Sequence, residues 1–248
     1  MPPRVNAYIT LHYGLEYLPW AIRSVYPFVE RIEIVYASQP STGYPTDLRC
    51  PDDGDALWMA ALDADPDDKV RWTEGAWPNY GAHCDDALEL ASDGADLVVV
   101  VDADEVYDPE GLAEAIDLAG KMQQKRFRVP FVHLWRSFGW ACTDAMMPIR
   151  IWKPNGRGEI SLSGLTPVYH FGYAQKPETI RYKEAIHGHK PEWREAWLEE
   201  KFLAWRPGSD VNDVHPTCKG IWNPQRFSRD GLPAIMRTHP YWDLEVIE

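Results

Sequence analysis

Leu97-Val98-Val99-Val100-Val101-Asp102-Ala103-Asp104-Glu105 is the stretch on which the reading of this chain turns. Five consecutive apolar residues, four of them valine, suit a strand covered on both faces better than a half-exposed strand with alternating character. Three acids follow at its carboxyl end, where open α/β sheets bind their ligands. Carboxylates two residues apart on an extended chain point to the same side, so Asp102 and Asp104 can share one divalent cation. Oxygen ligands favour Mg²⁺ or Mn²⁺ over zinc, and such ions commonly bridge to substrate phosphates. The alternative is a solvated strand end whose acids cap the next helix.

Outward from this stretch, residues 5–10 and 31–37 read as strands. Residues 16–29 read as a helix, with Leu18, Ile22, Val25 and Val29 on one face and Pro19 in the first turn, where a missing N–H costs little. Residues 38–55, rich in Gly, Pro and Asp, read as a long loop, and residues 70–73 as a third strand. Residues 80–91 and 109–121 repeat the helical spacing. This alternation predicts an α/β fold, a Rossmann-like, mostly parallel sheet flanked by helices and joined by right-handed crossovers. From about residue 126 the texture changes. Eight of the twelve tryptophans occur there, with strand candidates at 127–135 and 149–152 and a helix at 191–204 carrying Trp193 and Trp197. Two halves of one domain are therefore expected, 1–125 and 126–248.

The composition, 45% apolar and 25% charged over 248 residues, excludes collagen-like, coiled-coil and wholly disordered chains. Lys and Arg total 25 against 38 Asp and Glu, a net charge of −13, which argues against a polyanion-binding surface. No apolar run approaches a membrane span and none resembles a signal peptide, so a cytoplasmic protein is expected. Cys50, Cys84, Cys142 and Cys218 form no Cys-x-x-Cys pair and read as reduced structural thiols.

Taken together, 97–105, the opening Tyr8-Ile9-Thr10 with Ala21-Ile22-Arg23-Ser24-Val25, and the second strand Ile32-Glu33-Ile34-Val35-Tyr36-Ala37-Ser38 resemble the GT-A-type glycosyltransferases of family 2. The likeness is to the small bacterial or phage branch, in which a helix with an Arg-Asn-x-Ala-Leu pattern leads to a strand ending in Asp-Ala-Asp-Glu. Here Cys84-Asp85-Asp86-Ala87-Leu88 stands at the first pattern, with Cys and Asp in place of Arg and Asn. His170-Phe171-Gly172-Tyr173 followed by Lys183 is similar to the family's late His-x-x-Tyr…Lys stretch.

The resemblance implies a metal-dependent, hexosyltransferase-type enzyme. It would move a sugar from a nucleoside diphosphate sugar, bound by residues 1–125, to a hydroxyl acceptor bound by 126–248. It implies Asp104 as a metal ligand, Asp102 at the metal or the ribose, and His170 as a further ligand, since neutral imidazole completes an oxygen-rich shell. Lys183 and Arg181 are candidates for the diphosphate, and Thr10 and Ser38, small hydroxyl residues at strand ends, for the nucleotide. Asp144, preceding an Arg-Leu-Phe-like strand, is the candidate general base, with Glu178 and Glu192 in reserve. His187-Gly188-His189 is a possible ligand pair, and the tail Arg237-Thr238-His239-Pro240 a possible lid over the diphosphate. The acceptor stays open between a glycan, a lipid-linked sugar, a small molecule, a protein and a hydroxylated DNA base. The competing readings are a sugar nucleotidyltransferase, disfavoured because His12-Tyr13-Gly14 is no glycine-rich phosphate loop, and a non-catalytic carbohydrate- or nucleotide-binding protein on the same fold.

Overall fold

Residues 2–41, 44–143 and 145–248 are described by a computed structural model. The first half alternates as its periodicity requires: β1 (Val5–Leu11), α1 (Leu18–Val25), β2 (Arg31–Ala37), α2 (Gly54–Asp63), β3 (Val70–Gly75), α3 (Tyr80–Ser92) and β4 (Leu97–Val100). Local chemistry fixes the helix starts. Asp53 accepts from the N–H groups of Asp55 and Ala56, and Asn79 accepts from that of Ala82. Helix α2 has no counterpart in the sequence reading, because only Leu57 and Ala61 are buried while the apolar Met59 and Leu62 point outward, which blurs the period.

The second half contributes β5 (Glu105–Val106), α4 (Pro109–Lys121), β6 (Arg126–Arg128), β7 (Phe131–Trp135), β8 (Trp140–Cys142), β9 (Ile149–Trp152), β10 (Glu159–Ser161), β11 (Val168–Tyr173), α5 (Pro177–Ile186) and β12 (Gln225–Arg226). The strand read over 127–135 breaks at Val129-Pro130 into two pieces that join different sheets. The helix read over 191–204 does not form. Ala196 takes a left-handed φ of 52°, leaving a short 3₁₀ turn at Lys190–Glu192 and one π-type turn at Leu198–Leu203.

The strands form a seven-stranded sheet in the order β10-β6-β9-β4-β1-β2-β3 and a five-stranded sheet in the order β12-β8-β7-β11-β5. Strands β3, β2, β1 and β4 are parallel, and β9 runs antiparallel to β4. The chain winds outward from β1 to β3 and returns to β4 on the other side of β1, so the strand order reverses between β1 and β4, where α/β sheets open a ligand crevice. Strands β6, β9 and β10 complete the large sheet from beyond residue 125, while β5, from before it, edges the small one.

The valines of β4 are covered on both faces as expected. Leu97, Val99 and Val101 join the aliphatic core with Ile9, Ile22 and Ile34, while Val98 and Val100 pack with Ala87 and Ala91 of α3. Each such burial stabilises by roughly 1.5–3 kcal/mol. The small sheet is packed by rings: Trp135, Trp197, Phe202 and Trp205 on one side, Tyr17, Phe138 and Phe171 on the other. No helix among the described residues is long and apolar enough to cross a membrane.

Candidate active site

A cavity of about 380 Å³ opens at the carboxyl ends of β1 and β4, with Thr10, Tyr80, Asp102, Asp104, His170 and Lys183 in its wall. Asp104 sits where the chain leaves the large sheet for the small one, and its carbonyl accepts from the N–H of Phe171 in β11 at 2.7 Å. That bond fixes the side chain's origin. Its Oδ2 accepts from Gln175 Nε2 at 3.0 Å and lies 3.6 Å from Lys183 Nζ, and its Oδ1 lies 3.6 Å from His170 Nε2. Lys183 Nζ also donates to the Gly172 carbonyl at 3.1 Å and stands 4.9 Å above the Tyr173 ring.

His170 is hydrogen-bonded through Nδ1 to His133 Nδ1 at 2.9 Å. Burial, reinforced by His133 and by the Lys183 ammonium, holds its pKa well below the usual 6.5, so the ring is neutral. With Nδ1 engaged, Nε2 is the nitrogen that faces Asp104. A neutral imidazole that donates through its far nitrogen would be able to ligate a cation held beside Asp104. Among the described residues no three His, Cys, Asp or Glu side chains are grouped closely enough to hold an ion.

Asp102 is held differently. Its Oδ2 accepts from Arg150 Nη2 at 2.7 Å, and the same guanidinium grips the fully buried Glu105 through Nε at 2.8 Å and through Nη2. Burial works against the charge of Arg150, but the Glu105 and Asp102 carboxylates more than reverse this and raise its pKa. The guanidinium also lies 5.0 Å from the Phe131 ring centre. Asp102 keeps about a third of its side chain exposed toward the cavity. The sequence reading gave Arg150 no role, although an arginine between two isoleucines in a strand is a signal of a buried counter-charge.

The other sequence candidates separate clearly. Thr10 reaches the cavity, 3.5 Å from the Tyr80 hydroxyl. Ser38 is exposed past the end of β2 and outside the cavity wall, where Pro40 and Ser41 stand instead. Ser41 Oγ donates to His83 Nδ1 at 2.9 Å, while His83 Nε2 donates to the Val35 carbonyl and Trp77 stacks on the ring. His12 donates from Nδ1 to the Ala37 carbonyl and accepts from the Tyr182 hydroxyl, both at 2.7 Å. Arg181 and Glu178 are exposed on α5, outside this cavity, and Glu192 pairs with His189 at 3.1 Å. His187 and His189 do reach the cavity, with burial and Lys183 lowering the pKa of His187 to about 4. Asp144 lies outside the described residues. The tail Arg237-Thr238-His239-Pro240 is not in the wall of this cavity: His239 is buried against Tyr17, with ring centres 4.6 Å apart, and donates to the Glu16 carbonyl at 2.9 Å.

The cavity floor is closed by a tight approach. Gly14 has a φ of +130°, and a methyl there would come within 2.7 Å of Ala103 Cβ. The N–H groups of Gly14 and Leu15 both donate to Asp52 Oδ2, at 2.6 and 3.0 Å, which pins the long loop to this turn.

No protein-family model matches the chain, and no curated protein matches it. Among solved structures it is similar to S. aureus TarS residues 1–349, at 12% identity over 74% of this chain and 64% of that one, with a TM-score of 0.46. The UDP complex of the same protein matches at 14% identity over 53% and 36%, with a TM-score of 0.38. Glucosyl-3-phosphoglycerate synthase from Mycobacterium tuberculosis, in complex with Mn²⁺, UDP-glucose and phosphoglyceric acid, matches at 13% identity over 52% and 44%, with a TM-score of 0.38. The chain thus spans between 36 and 64% of the length of these proteins. Likenesses of this size carry no assignment of function.

Proposed function

We propose that the protein is a metal-dependent glycosyltransferase that moves a sugar from a nucleoside diphosphate sugar to a hydroxyl acceptor. The observation that carries this is the convergence of His170 Nε2 and Lys183 Nζ on the Asp104 carboxylate, each 3.6 Å from one of its oxygens, at the reversal point of the parallel sheet. Carboxylate, neutral imidazole and ammonium together suit a cation and the phosphates it bridges. The two structures of similar arrangement that hold UDP or UDP-glucose are consistent with a diphosphate donor.

In this reading Asp104 and His170 hold the cation, and Asp102, oriented by Arg150, faces the ribose or reaches the cation through water. When bound, a divalent ion supplies charge neutralisation for the departing diphosphate. Lys183 adds a fixed positive charge on the same side, effective because the cavity excludes much of the solvent that would screen it. Thr10 and Tyr80 border the nucleotide position at the end of β1. Residues 1–125 supply most of the donor side, joined by His170 and Lys183, and the rest of 126–248 the acceptor side, with Asp144 as the base that takes the acceptor hydroxyl's proton.

A thermal-shift screen of nucleoside diphosphates and their sugars, with and without Mn²⁺, tests the proposal, because a ligand selective for the folded state raises the melting temperature by mass action. One nucleotide should stabilise the protein only when metal is present. No shift with any of them, in folded protein, ends the proposal. Slow metal-dependent release of nucleoside diphosphate from that donor then separates a transferase from a non-catalytic binding protein.

A further inference from the structure

Gly172 has no backbone reason to be glycine. It lies inside β11 and its φ is not positive, while glycine in a strand packs nothing and weakens it. What the position requires is space. A Cβ added there would overlap Cε1 and Nε2 of His170 and come within 2.7 Å of Lys183 Nζ. His170 and Gly172, two apart in a strand, share one face, and Lys183 reaches over that face from α5 to donate to the Gly172 carbonyl. The three nearest atoms in the way all belong to the side chains of His170 and Lys183. A methyl group would therefore press first on the imidazole and the ammonium.

We infer that Gly172 is a positioning residue of the candidate active site: the empty volume over its Cα lets His170 and Lys183 converge on Asp104. The inference rests on the proposed reading of Asp104 and His170 as the cation-binding pair. It makes position 172 a control on ligand binding through two side chains that belong to different elements. The register between β11 and β7 also shifts between His170 and Tyr173, the segment that contains Gly172.

The test is Gly172→Ala in the full chain, read three ways. Its melting temperature should stay close to that of the unmodified protein. Long-range ¹H–¹⁵N spectra of the imidazoles should change, because displacing His170 breaks its hydrogen bond to His133. Calorimetric affinity for inorganic pyrophosphate in the presence of Mn²⁺ should weaken about tenfold or more, the scale on which misplaced ligand supports act. An unchanged imidazole spectrum, or a changed spectrum with undiminished affinity, overturns the inference. If the single variant does not fold, the same substitution in His170→Ala/Lys183→Ala decides: folding there locates the obstruction in those two side chains, and failure there makes Gly172 a structural requirement. If the unmodified protein does not bind Mn²⁺ and pyrophosphate at all, the functional reading falls, and the imidazole spectra still decide the role of Gly172.

Discussion

The two sheets treat their polar groups in opposite ways. The large sheet has an aliphatic core, and its buried Arg150 on β9 is bound both to Asp102 past the end of β4 and, across the junction, to Glu105 of β5 in the small sheet. The small sheet is built from rings and histidines, and it turns polar groups outward to the cavity: His170 through Nε2 and, from the helix that follows β11, Lys183. The first sheet is a scaffold that places carboxylates by backbone geometry. The second sets His170 and Lys183 against them. In the proposed function the difference separates residues that hold the site from residues that would act in it.

Breaking the scaffold should have the largest effect. Arg150→Met leaves Glu105 buried with no counter-charge and should destabilise the protein by about 3–5 kcal/mol, measured by urea denaturation. Adding Glu105→Gln should recover much of the loss, and a single variant as stable as the parent would show that the triad does not hold the sheets' junction. Breaking the operating side should leave the fold intact. Asp104→Asn should lower metal-dependent turnover of the donor by roughly 10²–10³-fold with little change in melting temperature; full activity would remove Asp104 from the site.

The histidine-rich side should also be the acid-sensitive one. Burial lowers the pKa of His239 to about 4, below the unfolded value of about 6.5. As pH falls the unfolded chain takes up this proton first, so stability is full above pH 6.5 and declines between 6.5 and 4, by roughly 3 kcal/mol at most. His239→Asn should flatten that part of the stability profile, and an unchanged slope would place the acid sensitivity elsewhere. The smallest effect belongs to the periphery of the scaffold: Asp53→Ala removes the acceptor for the first N–H groups of α2 and should cost about 1 kcal/mol, with activity unaffected.

Legibility in the sequence followed the same division. The strands and helices around β4 were readable because their burial has a regular period, and Asp102, Asp104, His170, Thr10 and Lys183 were found because each ends a strand or belongs to a spaced motif. All five line the same cavity. What stayed hidden depends on long-range pairing. Arg150 reads as one charge in a short strand until β9 is laid against β4. His12 and His83 read as loop and helix residues until Ala37 and Val35 supply the carbonyls they donate to. The helix expected over 191–204 carried a sound four-residue spacing of tryptophans, but the Trp197 indole donates to the Val214 carbonyl at 2.8 Å, and this tertiary bond outweighs helix propensity.

The contact between Gly14 and Ala103 gives the middle letter of Asp-Ala-Asp a meaning of its own. Ala103 is not a spacer between two acids. Its methyl already fills the ground that a side chain at position 14 would need, and the +130° φ at that position independently demands glycine. The two positions therefore share one volume, and a side chain at position 14 is opposed twice, by the Ala103 methyl and by the backbone angle.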